Sequence, residues 1–208
     1  MHKETVILVH GIWVNGLDMI LLRKQLEHAG YDTRRFSYHS VRSTPVENAL
    51  ALQTFSETVK STVIHYVCHS LGGLVVRHLF YNYPQRTPGR VVTLGTPHNA
   101  SSAARALTRF APARLLFGRS THQGLVGNVP PWRGTHEIGV IAGTVRFGLG
   151  LLVSGVPEPN DGTVAVSETI LKGMTDHITV STSHTGMLFS KAAADQTIHF
   201  LKNGHFLK

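Results

Sequence analysis

The run Cys68-His69-Ser70-Leu71-Gly72-Gly73 closes a segment of strand length, residues 62–68, apolar apart from His65, and opens a stretch of helical period that lasts to Tyr83 and breaks at Pro84. A serine at a tight strand-to-helix turn, with glycines around it, has the form of a nucleophile elbow. Small residues let the two elements approach, and the strained turn lifts the hydroxyl above the sheet. The helix N-terminus behind the serine points backbone N–H groups at any oxyanion that develops there. Glycine usually stands two residues before such a serine; here Cys68 does, small enough to fit but more crowded. Taken alone, Ser-Leu-Gly-Gly also reads as an ordinary helix entrance, so its surroundings must decide.

Outward from that turn, short β-branched runs alternate with stretches of helical spacing. Residues 5–9 read as a first strand that stops at His10-Gly11. Leu17, Ile20, Leu21, Leu22 and Leu26 then recur at helical spacing up to Ala29-Gly30. Residues 31–38 read as a more polar strand, nearer an edge. Pro45 opens a helix through about Val59, with Val46, Ala49, Leu50, Leu52 and Phe55 on its apolar side. Further strands are expected at 90–94, 138–142 and 178–181, and a last helix carries Met187, Leu188, Ala192, Ile198, Phe200 and Leu201. Apolar strands alternating with helices predict an α/β fold with a parallel sheet covered on both faces. The long connection from Thr96 to His136 is the one irregularity. Structureless loops of that length are uncommon, so a small cap or lid of short helices is expected over about residues 97–135, inserted in a single domain spanning 1–208.

Composition bounds the function. With 208 residues, 42% hydrophobic and 15% charged, the chain suits one globular domain and not a disordered one. No apolar run approaches the roughly 18–20 residues of a spanning helix. Glu4 sits where a signal peptide's basic region would be, and the apolar stretch after it is short, so a cytoplasmic location is expected. Cys68 is the single cysteine, and no spacing suggests structural zinc. The net charge is +8, and no acidic residue occurs between Glu57 and Glu137, a stretch holding Lys60, Arg77, Arg86, Arg90, Arg105, Arg109, Arg114, Arg119 and Arg133. Such a field favours anionic ligands or surfaces. Without a binding motif or interleaved aromatics, it does not point to nucleic acid.

Three further stretches give the elbow its chemical context. After the first strand, His10-Gly11-Ile12-Trp13 forms an open turn from which the Ile12 N–H can pair with that of Leu71 to hold an oxyanion. After the fifth strand, Asn160-Asp161-Gly162 places a carboxylate in a tight turn; Glu158, Glu168 and Asp176 are the other candidates for that role. After the sixth strand, Ser183-His184-Thr185 places a histidine at the carboxyl end of a strand, the ligand-binding edge of an open parallel sheet. His10, His69 and His98 compete near the same edge and are read as neighbours shaping the site. The chain order Ser70, Asp161, His184 differs from that of chymotrypsin and subtilisin.

These residues resemble the α/β-hydrolase superfamily, most closely the small bacterial lipases and esterases with a minimal lid. The likeness rests on His10-Gly11-Ile12, His69-Ser70-Leu71-Gly72-Gly73, Gly95-Thr96-Pro97-His98, Asn160-Asp161-Gly162 and Ser183-His184-Thr185, and it spans nearly the whole chain. Asn99-Ala100-Ser101-Ser102 departs from that pattern, where a glycine usually follows. The resemblance implies a six-stranded, mostly parallel sheet of order 2-1-3-4-5-6 with helices on both faces. The first and third strands would then be neighbours, so that Ile12 and Ser70 meet at the topological switch point.

The expected function is therefore hydrolysis of carboxylic esters through an acyl-enzyme, with Ser70 as nucleophile, His184 as base and Asp161 as its orienting acid. No metal or cofactor is called for. Trp13, His69, His98, Phe147, Leu149, Leu151 and Met187 are candidate substrate-pocket residues. The apolar, glycine-rich segment 145–153 suits an acyl site or a lipid surface, and the basic amphipathic pattern of 103–120 suits an anionic membrane or lipid interface. Two alternatives stay open: an acyltransferase or thioesterase using the same three residues, and a non-catalytic binding module.

Overall fold

The computed structural model describes residues 4–110, 115–147 and 156–208. Six parallel strands make one sheet: β1 (Thr5–Val9), β2 (Asp32–Phe36), β3 (Ile64–His69), β4 (Arg90–Leu94), β5 (Glu137–Gly143) and β6 (Asp176–Val180), in spatial order β2-β1-β3-β4-β5-β6. This is the α/β-hydrolase order. β1 and β3 are buried along their whole length, which is why they read as largely apolar runs, interrupted in β3 by His65, whereas β2 exposes Arg34 and Arg35 at the sheet edge.

Helices α1 (Ile20–His28) and α6 (Lys191–Asn203) cover one face; α2 (Pro45–Glu57) and α3 (Leu71–Asn82) cover the other. On the first face Val6, Leu8, Val67 and Val92 pack with Leu22, Leu26, Phe200 and Leu201. On the second, Ile7, Val9, Tyr66 and Cys68 pack with Leu52, Val75, Val76 and Leu79. Thr44 and Glu47 close a reciprocal capping box at the start of α2, which fixes where that helix begins. Between them lie α4 (Ser102–Leu107) and α5 (Val166–Thr169).

Two expectations need correction. Leu17, Ile20 and Leu21 face outward; the buried stripe is Met19, Leu22 and Leu26, at three- and four-residue steps. The second strand stops at Phe36, because Tyr38 turns away from the sheet to bond His10 through both its N–H and its hydroxyl.

Between β4 and β5 the chain makes its long excursion, with α4, a helical turn at 115–117 and a 3-10 turn at Gly118–Thr121. Leu71 and Leu74 of α3 pack under it against Ala104, Phe117 and Leu125. Arg77 of α3 clasps both ends, donating to His98 O at 2.6 Å and to Pro130 O. It is buried with no acidic partner among the described residues, and that burial lowers its pKa to about 10.

Candidate active site

Register brings the site together. Val9 of β1 pairs with Cys68 of β3, so the loops that leave their carboxyl ends, His10-Gly11-Ile12 and His69-Ser70, start side by side. Ser70 takes φ 51°, ψ −120°, a conformation that non-glycine residues rarely adopt and that marks a strained, over-determined turn. Gly72 makes the turn possible: a Cβ there would stand 2.4 Å from Val9 O and 2.7 Å from His10 O. Cys68 points into the core against α2 and α3, fully buried, and that burial pushes its thiol pKa upward.

Asp161 and His184 meet at the same edge. His184 Nδ1 lies 2.7 Å from Asp161 Oδ2, and the His184 N–H donates to Asp161 O at 2.9 Å. The remaining carboxylate oxygen accepts the N–H groups of Thr163 and Val164, at 2.9 and 2.7 Å. The Asp161 carboxylate thus meets three nitrogen partners, two of them backbone N–H groups that can only donate, which is the pattern of an ionised carboxylate. Nδ1 of His184 then carries the proton, and Nε2 is left bare to act as a base. Gly95 gives the ring room, since a Cβ there would be 3.0 Å from His184 Nδ1.

Ser70 and His184 both line one cavity of about 500 Å³, with no hydrogen bond between their side chains among the described residues. Catalytic contacts of unliganded sites are often long and tighten only with substrate bound. The other walls are largely apolar, with Ile12, Leu107, Phe117, Leu125 and Val164 among them. Neither the Ile12 nor the Leu71 N–H has a protein acceptor among the described residues, as expected of donors at the mouth of a loop and at a helix N-terminus.

The loop bearing Ile12 is braced from several sides. Tyr38 donates its hydroxyl to His10 O at 2.7 Å and its N–H to His10 Nε2 at 3.3 Å, so His10 Nδ1 carries the proton and donates to Gly11 O. Trp13, at φ 63°, gives its N–H to Ser40 Oγ and its indole N–H to Leu116 O. Sequence reasoning missed Tyr38 and Ser40, because no local pattern marks a contact across some 27 residues.

The structure distributes the remaining candidates plainly. Trp13, His69 and Phe147 line the cavity. His98 and Met187 do not: His98 is buried against Thr93, and Met187 is buried in the core beneath Gly95. Leu149 and Leu151 lie outside the described residues, as does Arg114 of the basic stretch. Among the other acids, Glu168 caps α5 and binds the Ser102 N–H, Glu158 pairs with Arg146 in solvent, and Asp176 sits at the amino end of β6, away from the site.

A family profile described as "Putative serine esterase (DUF676)" matches residues 2–99, the part that holds Ile12 and Ser70 but neither Asp161 nor His184. No curated protein matches the sequence. Among solved structures, the mature lipase BlEst2 of Bacillus licheniformis aligns at TM-score 0.70 and 19% identity, over 90% of this chain and 87% of that one. The metagenomic carboxyl esterase MGS0156 aligns at 0.65 and 15% identity, over 88% and 65%. Mouse alpha/beta hydrolase domain-containing protein 10 aligns at 0.65 and 14% identity, over 98% and 90%. At such identities the likeness is one of fold.

Proposed function

We propose that this chain of α/β-hydrolase fold is a serine hydrolase that cleaves carboxylic esters through an acyl-enzyme. The observation that carries the reading is the pairing of His184 Nδ1 with the buried Asp161 carboxylate, on the wall of the same cavity as the strained Ser70. Ser70 Oγ attacks the acyl carbonyl while its proton passes to His184 Nε2. The oxyanion takes hydrogen bonds from the N–H groups of Ile12 and Leu71, each worth about 3–4 kcal/mol in the transition state if other oxyanion holes are a guide. Collapse breaks the ester C–O bond, and the alcohol leaves with the proton from His184. Water then adds to the acyl-enzyme, giving its proton to His184, and the acid departs as Ser70 recovers its hydrogen.

The walls formed by Leu107, Phe117, Leu125 and Val164 favour an apolar acyl group. Around the mouth, Trp13, Leu116, Phe147 and Phe189 expose large apolar surface, and Arg105 and Arg109 are exposed along and just after α4, whose Ala104 and Leu107 line the cavity. Together these support a lipid ester presented at an anionic surface. Sedimentation with vesicles should therefore rise with anionic lipid content and fall with salt; indifference to both overturns the surface part of the reading. The reaction itself is tested by turnover of p-nitrophenyl butyrate. Ser70→Ala should lose at least about a thousandfold in kcat, and a mutant as fast as wild type would overturn the assignment.

A further inference from the structure

The residue before the proposed nucleophile is bonded to the proposed base. His69 Nε2 lies 3.2 Å from the main-chain oxygen of His184, and a carbonyl only accepts, so Nε2 carries the proton. The two rings stand 4.8 Å apart. Every polar group of His184 except Nε2 is thereby held: its N–H and Nδ1 by Asp161, its carbonyl by His69.

Nδ1 is buried and reaches no hydrogen-bond partner among the described residues, so the bond from Nε2 to His184 O is the one hydrogen bond this ring makes among them. Gly11 closes the space beside it: a Cβ there would lie 3.1 Å from His69 Nδ1 and 3.2 Å from Ser70 Cβ. Burial first, then the neighbouring His184 and His10, hold the His69 pKa down to about 3. The ring therefore stays neutral when His184 becomes an imidazolium, and it adds no full charge beside it.

We propose that His69 is a positioning residue for this reaction, its Nε2–H fixing the His184 loop at the distance from Ser70 that proton transfer requires. The inference rests on the reading of Ser70 and His184 given above. His69 and Ser70 are joined by one peptide unit, so the bond ties nucleophile and base through the shortest available link. Misplacement of a reacting group by about 1 Å can cost a hundredfold in rate, and although His69 reaches the cavity, its apolar walls are made by Leu107, Phe117, Leu125 and Val164. Its loss should appear in kcat and not in KM.

Two substitutions separate positioning from space-filling. The side-chain nitrogen of glutamine is as many bonds from Cα as Nε2, so His69→Gln keeps the donor; that of asparagine corresponds to Nδ1, so His69→Asn loses it. With p-nitrophenyl butyrate, His69→Asn should lower kcat by about ten- to a hundredfold at nearly constant KM, while His69→Gln stays within about threefold of wild type. Equal losses in both variants, or a loss carried by KM, overturn the proposal. Should either variant fail to fold, ¹⁵N NMR of wild-type protein at neutral pH decides. The His69 ring should show a protonated Nε2 and a bare Nδ1; the opposite tautomer overturns the proposal. Wild type that neither turns over the ester nor reacts with a fluorophosphonate contradicts the hydrolase reading itself, whereas an active wild type with an unaffected His69→Asn contradicts only this inference.

Discussion

Asp161 grips His184 at two points, its carboxylate on Nδ1 at 2.7 Å and its main-chain oxygen on the N–H at 2.9 Å. The side-chain bond sets the tautomer and the main-chain bond sets the loop. One residue thus fixes both which nitrogen faces the cavity and where it stands.

Replacing Asp161 by asparagine should separate those two effects. The main-chain bond survives, but one side-chain oxygen cannot serve Thr163, Val164 and His184 together. The amide presents its NH₂ either to the two backbone donors or to Nδ1, and in the second case Nδ1 must give up its proton. A fall in kcat of about 10⁴ is expected by analogy with the serine-protease triad, with KM little changed. Steady-state kinetics on a soluble ester checks this; a loss below about tenfold would assign the orienting role elsewhere.

Gly72→Ala tests the elbow's packing. The added methyl would meet two main-chain oxygens, at 2.4 and 2.7 Å, which a flexible neighbour cannot relieve. A destabilisation of about 1–3 kcal/mol or more is expected, together with loss of activity, since the same shift moves Ser70 and His10. Denaturant unfolding and ester turnover measure the two effects side by side.

Cys68 should behave as packing and not as chemistry. It is fully buried among Val9, Tyr66 and Val75. Thiol reagents should not reach it in the native state and should titrate one thiol after denaturation. Cys68→Ala should cost about 1 kcal/mol of stability while ester turnover stays near wild type. Rapid modification of the native protein would contradict this placement.

Stability should fall with acid earlier than carboxylate protonation alone would make it. His10, His65, His69, His78, His98, His136 and His177 are all held below their ordinary value of 6.5, burial being the largest cause in each. Below that value the unfolded chain takes up protons that the folded chain refuses, so the unfolded state gains. The contribution is complete above 6.5 and is lost as pH falls from there, in the case of His69 towards about 3. Each histidine adds up to about 1.4 kcal/mol per pH unit within its window. Urea midpoints should be flat above about pH 7.5 and decline between about 6.5 and 5; a midpoint unchanged down to about pH 5 would contradict the burial of these rings in the native state.

Much of this architecture is legible in the chain because its physics is local. Burial on both faces makes β1 and β3 largely apolar runs, with His65 the exception inside β3, and the need for close approach writes Gly72 two residues after Ser70. Asp161 is legible as a carboxylate in a tight turn and His184 as a histidine just beyond a strand, though only spatial proximity distinguishes Asp161 from Glu168 and Asp176. Their neighbours are less visible. Tyr38, Ser40 and Arg77 act on segments far along the chain, and nothing in the sequence around them records the partner. His98 and Met187 stand close in sequence to groups at the active edge, yet strand and helix geometry turn both side chains into the interior. Outward-facing Leu17, Ile20 and Leu21 misled for a related reason: periodicity finds a stripe, but with apolar residues on several sides it does not choose the face.

The reactivity of Ser70 is the central claim, and labelling with a fluorophosphonate followed by peptide mass spectrometry tests it most directly. A single adduct on the peptide carrying Ser70 is expected, absent from Ser70→Ala and strongly slowed in His184→Ala. Labelling of another residue, or none on native protein, would contradict the account.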